Sequence, residues 1–422
     1  MTLIEIKEMI ERGRLSCLGE LYSDPEAQRG RFCSLVDGFR ELYGDGEAML
    51  LSVPGRTEIC GNHTDHNNGR VIAGAIDRDV ISLVRANDSG VVRLKSLGYP
   101  ESLVRLSDIH DPNNFEKFSS PSLIAGVIKG FLERGYNVGG FDAFVTSDVL
   151  KGSGISSSAA FEVMIGNIIN HLYNGGRVAN TELAKIAKYA ENVYFGKPSG
   201  LMDQMACAVG GFVYIDFYDK DEPEVLPIDF SLKQFGYSLA IVNTGGNHAD
   251  LNDDYASVPS EMRAVAEAFG KSFLSEVDEQ SFIKAIPSLR ESVGDRAILR
   301  AMHFFNENRR VVKMREALTE KRLGDFLGIV NESGNSSFKY LQNVYTNINV
   351  REQGLSLALS VGEGVLGDGS AMRVHGGGFA GTVQAFLPDS EVDSFRSAMD
   401  AVFGEGATML LNIRPLGAAR LL

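Results

Sequence analysis

The sequence "GFDAFVTSDVLKGSGISSSAAFEVMIGNIINHLYNGG", residues 140–176, passes from a strand-like pattern to a helical one. Its first part, "GFDAFVTSDVL", alternates as a half-buried strand does. The second part changes to helical spacing, and one helix face would carry Ala160, Val163, Met164, Asn167, Ile168 and Leu172. The glycines between the two parts predict a loop that leads from a strand directly into a helix.

That loop, within residues 150–163, has the composition of an anion cradle. Glycines let backbone N–H groups approach phosphate oxygens, and the free N–H groups and dipole of a helix N-terminus favour negative charge. One of the serines could also serve a metal ion that bridges phosphates. The chain lacks the G-x-x-x-x-G-K-[ST] pattern of a Walker A loop. A flexible turn with a serine N-cap explains the same spacing, so both interpretations stay open on the residues alone.

The sequence on either side of this stretch mixes strands and helices. Short strand-like pieces run from about residue 49 to 92, and long helical patterns run from about residue 260 to 333. The end returns to the strand-like "MRVHGGGFAGTVQAFLP". The absence of regular βαβ alternation predicts an α+β fold rather than a doubly wound sheet. The charged segment 216–230, which contains two prolines, is the predicted junction between two domains.

Composition and charge narrow the class of protein. The chain has 422 residues, of which 44% are hydrophobic and 23% charged, as in a globular protein of two domains. Its formal net charge of -14 would repel a nucleic-acid backbone, so no nucleic-acid partner is expected. The longest uncharged apolar segment, residues 163–176, is too short to cross a bilayer. Scattered cysteines without a C-x-x-C pair, and a start without signal-peptide features, predict a cytoplasmic protein with no membrane contact.

A second polar stretch, "GRTEICGNHTDHNNG" at residues 55–69, is predicted to be a loop between strands. His63, Asp65 and His66 resemble metal ligands, but the loop lacks an H-E-x-x-H pattern or further Cys and His partners. Recognition of sugar hydroxyls fits better, because carboxylates, amides and imidazoles can pair many donors and acceptors. A solvated turn would explain "NNG" but not why Arg56 and Asp65 bracket the loop.

A third glycine-bearing site is "HGGGFAG" at residues 375–381. It matches G-x-G-x-x-G in form, but a strand-like segment follows it, where a dinucleotide-binding fold needs a helix. Successive glycines before a strand are instead expected to let the backbone pack closely beside a ligand, with a bulge or tight turn as the alternative.

These three sites occur in the order and approximate spacing of the GHMP small-molecule kinases. "PGRTEICGNHTDHNNG" resembles the signature of the galactokinase family, roughly P-G-R-x-N-x-I-G-E-H-x-D-Y-x-x-G. "GSGISSSAA" resembles the central phosphate loop and "GGGFAG" the C-terminal glycine motif. A fourth segment, "ENVYFGKPSGLMDQ" at residues 191–204, resembles the one that carries the catalytic aspartate. The resemblance runs from about residue 48 to 388.

The resemblance implies a role for each matching residue. The implied catalytic pair is Asp203, which would lie against the sugar C1 hydroxyl, and Arg56, between that aspartate and the transferred phosphate. The residues implied for the sugar are Asn62, His63, Asp65, Gly200 and Tyr255. The residues implied for the triphosphate are Gly152, Ser153, Gly154, Ser156, Ser157 and Ser158. The implied magnesium ligands are Ser158 and Glu191.

The resemblance also implies a two-domain GHMP kinase fold and a phosphotransferase with an alcohol group as acceptor. The N-terminal domain, 1–225, would resemble ribosomal S5 domain 2 and bind sugar and ATP. The C-terminal domain, 226–422, would be ferredoxin-like, and its last strands either stay in it or return to the first domain. The implied reaction is ATP-dependent phosphorylation of galactose at the C1 hydroxyl, with Mg²⁺ as cofactor, by a monomer or weak dimer.

Departures from the family pattern leave other functions open. Asn62 replaces the signature glutamate, which contacts the sugar C6 hydroxyl in the family, and His66 replaces a tyrosine. Because an amide donates as well as accepts, an anomeric kinase for a related sugar, such as N-acetylgalactosamine or a pentose, is one alternative. A non-catalytic sensor of sugar and ATP is another. The intact "SSSAA" segment, together with Arg56 and Asp203, favours an enzyme.

Overall fold

The computed structural model describes residues 1–149, 154–197, 199–219, 221–246 and 251–422. The helices of these residues are α1 (Leu3–Glu11), α2 (Leu18–Leu21), α3 (Pro25–Tyr43), α4 (Ser120–Glu133), α5 (Ser157–Tyr173), α6 (Asn180–Tyr189), α7 (Met202–Val209), α8 (Asn252–Glu267), α9 (Glu279–Ser292), α10 (Asp295–Thr319), α11 (Leu323–Ser336), α12 (Gly354–Val365) and α13 (Val392–Phe403). π-Helical turns at Ala190–Phe195 and Ser337–Leu341 follow α6 and α11. Within the described ranges, no helix is both long enough and apolar enough to pass through a bilayer.

The strands are β1 (Met49–Cys60), β2 (Arg70–Asn87), β3 (Val91–Ser96), β4 (Glu101–Arg105), β5 (Gly140–Ser147), β6 (Phe212–Asp216), β7 (Glu224–Ile228), β8 (Tyr237–Asn243), β9 (Ala371–His375), β10 (Thr382–Pro388), β11 (Thr408–Leu411) and β12 (Ala419–Arg420). The first sheet has the order β12-β1-β2-β5-β3-β4, with β6 paired to β2 and β7 to β6. The predicted strand and helix of residues 140–176 are confirmed as β5 and α5.

Helices cover both faces of the first sheet. Successive side chains of a strand point to opposite faces, so β1 serves two apolar layers. Leu51 and Val53 belong to the core that also contains α4, α5, α6 and α7, whereas Leu50 packs with Ile81 in the core formed by α1 and α3. All four of these side chains are fully buried. The sheet therefore holds β1 firmly between two helical layers.

The strand β1 runs further than its sequence indicates. Residues 55–60, predicted as part of a loop, continue the strand and pair with β2. Shifts of register between Pro54 and Arg56, and between Glu58 and Cys60, break the two-residue alternation that marks a regular strand. The loop itself is confined to residues 61–69. Arg56 is thus carried by a strand, which fixes its backbone more tightly than a loop would.

The charged segment 216–230 is not an open linker. It contains β7, which pairs antiparallel with β6 at an edge of the first sheet. Pro227 is tolerated there because an edge strand does not need every N–H group for pairing. The predicted domain boundary between residues 225 and 226 falls inside this strand, so the chain changes sheet only after Ile228.

The second sheet is antiparallel and has the order β11-β8-β10-β9. Helices separate β8 from β9, β10 follows β9 directly, and α13 leads from β10 to β11. A strand–helix–strand–strand–helix–strand sequence with this order is ferredoxin-like. The two sheets with helices packed on them confirm the predicted α+β class, and the second sheet confirms the predicted ferredoxin-like C-terminal part.

After β11 the chain returns to the first sheet. Ala419 and Arg420 of β12 pair with Ser52 and Leu51 of β1. Beyond β12, the N–H of Leu421 donates to the carbonyl of Leu50 at 2.7 Å. The outer edge of β1 is therefore covered by residues from the far end of the sequence.

Candidate active site

Arg56 of β1 and Asp203 of α7 meet although 147 positions separate them, with Arg56 Nε donating to Asp203 Oδ1 at 2.7 Å. The guanidinium also donates through Nη1 to the carbonyl of Gly154 at 2.5 Å, and the backbone N–H of Arg56 donates to the carbonyl of Ile155 at 3.1 Å. The Arg56 side chain is 9% exposed and that of Asp203 is 33% exposed. A buried cation therefore holds together the end of the glycine loop and an accessible carboxylate.

Ser156 completes the shell of this carboxylate. Its Oγ donates to Asp203 Oδ2 at 2.5 Å, and its backbone has a φ of 61°, in the left-handed region. Ser156 occupies the N-cap position of α5 but makes no side-chain cap hydrogen bond. A serine N-cap was one interpretation of the sequence, whereas the structure directs this hydroxyl to the aspartate. An uncommon backbone conformation at such a position is typical of functional sites.

The surroundings of Asp203 keep it ionised. Burial opposes the charged form, but the charge of Arg56 and hydrogen bonds from Arg56 and Ser156 outweigh it and hold the pKa of Asp203 below its ordinary value. At neutral pH the group is therefore a carboxylate that can accept a hydrogen bond from a substrate hydroxyl. Its depressed pKa also makes it a weak base, so it suits orientation and late proton acceptance better than prior deprotonation.

The start of α5 offers backbone donors beside this pair. The first N–H groups of a helix have no intrahelical partner and attract anions. Gly154 is exposed, and Ser156, Ser157 and Ser158 are half-buried. Gly154 has a φ of 74°, a conformation that favours glycine. Of the residues predicted for the triphosphate, Gly152 and Ser153 lie outside the described residues.

Glu191 lies next to the first turn of α5 and is held at both oxygens. Its Oε1 accepts from Ser158 Oγ at 3.4 Å and from Lys197 Nζ at 2.8 Å. Its Oε2 accepts from Ser199 Oγ at 2.5 Å and from Gln204 Nε2 at 2.8 Å. The side chain is 2% exposed, so it is a buried carboxylate in a fixed position.

Ser158 and Glu191 form a donor set that fits magnesium. Hydroxyl and carboxylate oxygens are hard ligands, and Mg²⁺ in kinase sites takes few protein ligands and completes its shell with phosphates and water. Across the described residues, no group of three or more His, Cys, Asp or Glu could hold a metal ion by itself. One hydroxyl and one carboxylate therefore match an ion that arrives with a nucleotide.

Glu162, on α5, is an acid of this region that sequence analysis missed. It is fully buried, and its Oε2 accepts from Gln204 Nε2 at 3.2 Å. Burial, followed by the charge of Glu191, raises the pKa of Glu162 well above its ordinary value. A signal was present in the sequence, since Glu162 is the one acid or base other than His171 in the helix "SSAAFEVMIGNIINHLY".

His63 joins the polar loop to the C-terminal glycine motif. Its Nε2 lies 2.8 Å from the carbonyl oxygen of Gly377, and because a carbonyl only accepts, this nitrogen carries the ring proton. Burial lowers the pKa of His63 to about 4, so the ring is neutral at physiological pH. The residue has a φ of 58°, which places it among the uncommon backbone conformations.

Gly200 lies directly against Asp65. A Cβ at Gly200 would lie 2.3 Å from Asp65 Oδ2, so a larger residue there would displace the Asp65 carboxylate. Gly200 precedes α7, which begins at Met202 and carries Asp203. This contact places the predicted sugar-binding carboxylate of the loop beside the segment that carries the predicted catalytic one.

Tyr255 of α8 reaches the same glycine motif as His63. Its Oη donates to the carbonyl of Gly378 at 2.6 Å, and its ring stands edge-on to Phe379 with 5.3 Å between centroids. A Cβ at Gly377 would lie 2.6 Å from the Tyr255 ring. The glycine motif forms a turn that packs closely against a neighbouring side chain, and it links two predicted sugar-binding residues.

The structure gives Asn62 a different place from the predicted one. Its Nδ2 donates to Glu58 Oε1 at 2.9 Å and to the carbonyl of Gly376 at 2.7 Å. Its Oδ1 accepts from Asn343 Nδ2 at 2.7 Å and from Ser337 Oγ at 3.3 Å. The residue is fully buried, so its side chain connects β1 to the C-terminal half and is not exposed to solvent.

A buried network behind the polar loop escaped the sequence analysis. Arg373 Nη2 donates to Glu58 Oε1 at 3.2 Å, and His303 Nε2 lies 3.0 Å from the carbonyl oxygen of Asn62. Glu307 accepts from the backbone N–H of Gly61 at 3.0 Å. These partners are more than 240 positions apart, and no local pattern signals such pairs. The network holds the loop in one position against α10 and β9.

Comparisons with known proteins identify the family. The model described as the galactokinase galactose-binding signature matches residues 37–86, and the GHMP kinases N terminal domain matches residues 122–211. A galactokinase from Clostridium tetani (strain Massachusetts / E88) is 30% identical over 372 residues, which cover 85% of this chain and 88% of that protein. A galactokinase from Streptomyces coelicolor is 30% identical over 370 residues, covering 86% and 91%.

Solved structures show the same fold. Galactokinase from Lactococcus lactis, complexed with galactose, superposes with a TM-score of 0.77 at 24% identity, covering 92% of this chain and 99% of that one. Mevalonate kinase from Methanococcus jannaschii superposes with a TM-score of 0.61 at 16% identity, covering 87% and 99%. With the sequence relatives matched over most of their length, the chain belongs to the galactokinase family of the GHMP kinases.

Proposed function

We propose that this protein transfers the γ-phosphoryl group of ATP to the C1 hydroxyl of galactose, giving galactose 1-phosphate and ADP. The observation that carries the proposal is the Arg56–Asp203 pair, 2.7 Å apart, which is exposed on its carboxylate side. The end of the glycine loop touches the pair through Gly154, and the polar loop reaches the approach to α7 through Asp65 and Gly200. The glycine loop is therefore tied to this carboxylate through Arg56, and the polar loop lies against the segment that leads to it.

In this reaction Asp203 orients the C1 hydroxyl and accepts its proton. Phosphoryl transfer passes through a loose transition state, in which the attacking oxygen bonds late to phosphorus. The hydroxyl becomes strongly acidic only as that bond forms, so a carboxylate of low pKa can take the proton at that point. Ser156 already donates to Oδ2 and Arg56 to Oδ1, which fixes the plane of the carboxylate before the sugar arrives.

Arg56 stabilises charge on the group in transfer. Its planar guanidinium has further N–H donors beyond those bound to Asp203 and Gly154, and it is already desolvated in the free protein. Prearranged donors of this kind act without reorganisation during the reaction. The same guanidinium of Arg56 therefore positions Asp203 and offsets negative charge on the phosphoryl group in transfer.

Ser158 and Glu191 would hold Mg²⁺, which when bound neutralises charge on the β- and γ-phosphates. The N-terminus of α5, with Ser157, would bind the same phosphates through backbone donors. Gly152, Ser153, Gly154 and Ser156 complete the proposed cradle by their place in the sequence. For binding the sugar we propose His63, Asp65, Gly200 and Tyr255.

The thiols of the unpaired cysteines support a reducing compartment such as the cytoplasm.

The test is a coupled assay of ADP release with a panel of sugars. Galactose is expected to give rapid ADP release that requires Mg²⁺. Activity on N-acetylgalactosamine or a pentose, with none on galactose, would show that the protein is a sugar kinase with a different substrate. Binding of ATP and galactose without ADP release would instead identify a sensor and overturn the proposed activity.

Gly200→Ala should raise KM for galactose about tenfold or more while KM for ATP stays near the wild-type value. The added methyl group would press on Asp65 Oδ2 and displace the proposed sugar-binding carboxylate, whereas the start of α5 is untouched. Steady-state kinetics with each substrate varied in turn provide the measurement. Gly19→Ala is a control, because a Cβ there meets no neighbouring atom. Equal increases in both KM values would argue against a sugar-side role.

Asn62→Ala should lower Tm by at least about 2 °C, because buried partners such as Glu58 and Asn343 lose hydrogen bonds. Calorimetry gives the Tm, and kinetics give KM for galactose. Asn113→Ala serves as a control, since Asn113 is exposed and its side chain binds only Asp111 within its own turn. An unchanged Tm together with a raised KM for galactose would indicate that Asn62 contacts the sugar directly.

A further inference from the structure

Lys197 lies beside the proposed magnesium ligands but takes no part in the proposed reaction as described above. It follows the π-helical turn Ala190–Phe195, and its Nζ donates to Glu191 Oε1 at 2.8 Å. The Lys197 side chain is 51% exposed, whereas that of Glu191 is 2% exposed. The ammonium is therefore exposed, on a flexible stem, and paired with a fixed buried carboxylate.

The oxygen that Lys197 occupies is the one nearest Ser158. Oε1 of Glu191 accepts from both Ser158 Oγ and Lys197 Nζ, while Oε2 is turned towards Ser199 and Gln204. A magnesium ion shared by Ser158 and Glu191 would bind through this same Oε1. Two cations on one oxygen repel strongly, so the ammonium must leave when the metal ion binds.

The other carboxylates nearby compete poorly with a triphosphate for the displaced ammonium. Asp203 is engaged at Oδ1 by Arg56 and at Oδ2 by Ser156. Glu162 is fully buried, and its raised pKa favours the neutral form. The remaining anion at this position is the triphosphate that arrives with the metal ion, and ammonium groups are common phosphate ligands.

We propose that Lys197 is a further phosphate-binding residue of this site, paired with Glu191 while nucleotide is absent and with the β- and γ-phosphates of ATP once Glu191 is given up to Mg²⁺. The inference rests on the proposed function, because it takes Ser158 and Glu191 as magnesium ligands and ATP as the phosphoryl donor. It adds a second cation, besides Arg56, to the charge that the protein itself brings to the transferred group.

Calorimetric titration of ATP with Mg²⁺ into the full-length protein, with no sugar present, tests this without phosphoryl transfer to sugar. Lys197→Met should bind ATP about 10- to 100-fold more weakly than wild type, as expected for the loss of one charged hydrogen-bond donor. Lys197→Arg, which keeps the charge, should retain most of the affinity. The matched control is Lys185→Met, because Lys185 also pairs with a glutamate, Glu222, at 2.8 Å but lies on α6. Equal ATP affinity in Lys197→Met and wild type would overturn the proposal.

A double-mutant cycle separates phosphate binding from mere support of Glu191. Glu191→Gln frees Lys197, so it should strengthen metal-free ATP binding in the wild-type background. The same substitution in the Lys197→Met background should give a clearly smaller gain. Equal gains in both backgrounds would mean that Lys197 does not reach the phosphates. If wild type binds ATP but phosphorylates no sugar, the proposed activity fails while this cycle still reports on Lys197.

Discussion

Asp203→Asn should lower kcat by about 10²- to 10⁴-fold, the usual cost of removing a group that accepts the proton in a transfer step. Asparagine keeps the size of the side chain, but its amide cannot take the C1 hydroxyl proton. The change also leaves the buried Arg56 without its ionic partner, so the guanidinium loses its fixed orientation. ATP should still bind, because the start of α5 and Glu191 are unchanged.

The measurement is single-turnover ADP formation, with ATP binding followed by calorimetry. Asp216→Asn provides a matched control. Asp216, on β6, also accepts from an arginine, Arg70 Nε at 2.6 Å, but lies outside the proposed site. That variant should turn over like wild type. Wild-type turnover in Asp203→Asn would remove Asp203 from the chemistry, and a loss of ATP binding would indicate a structural defect instead.

The same carboxylate predicts a feature of the pH profile. The pKa of Asp203 is lowered in the folded protein, so the active ionised form persists as pH falls and is lost only below the ordinary aspartate value. Between pH 7 and pH 5, kcat should therefore show no decline caused by this group. A limb centred in that range, which disappears in Asp203→Asn, would contradict the arrangement with Arg56.

Arg56→Lys should lower kcat by about 10²- to 10³-fold, the typical cost of losing a prearranged donor to developing charge. An ammonium keeps the charge but cannot donate from fixed directions to both Asp203 Oδ1 and the carbonyl of Gly154. The end of the glycine loop and the start of α7 would then no longer be held by one planar group. Steady-state kinetics with ATP and galactose varied separately measure the effect.

Arg70→Lys is the matched control for this substitution. Arg70, the first residue of β2, makes the same kind of Nε contact to an aspartate, but that aspartate lies on β6 and has no proposed role in the reaction. Its replacement should leave kcat within about twofold of wild type. If Arg56→Lys raises only KM for ATP and leaves kcat normal, Arg56 contributes to binding but not to the transfer itself.

Local sequence patterns predicted the strand and helix around the glycine loop well. β5 and α5 have the expected order because alternation and helical spacing report directly on which side chains face the core. The same rule failed for residues 55–60, where irregular pairing with β2 removes the alternation and both faces are buried. A strand of this kind has no local signature, so its polar residues looked like a loop.

The candidate site divides in a similar way. Arg56 and Asp203 were identified by resemblance, since nothing in their spacing indicates that they meet. Asn62 was expected at the sugar because it aligns with a sugar-binding glutamate, but its partners Asn343 and Gly376 lie hundreds of positions away and draw it into the interior. The contact between Lys197 and Glu191 could not be predicted from the sequence. It depends on a π-helical turn, which hydrophobic spacing does not reveal.

The pairing of β12 with β1 has a consequence for folding during synthesis, because the ribosome makes β1 long before β12. β1 leaves the ribosome hundreds of residues before the segment that covers its outer edge, an interval on the order of tens of seconds at ordinary rates of translation. During that interval the nascent edge exposes unpaired N–H and C=O groups that can capture a strand from another chain. Yield in a heterologous host should therefore depend on chaperone supply during synthesis more than on the stability of the finished protein.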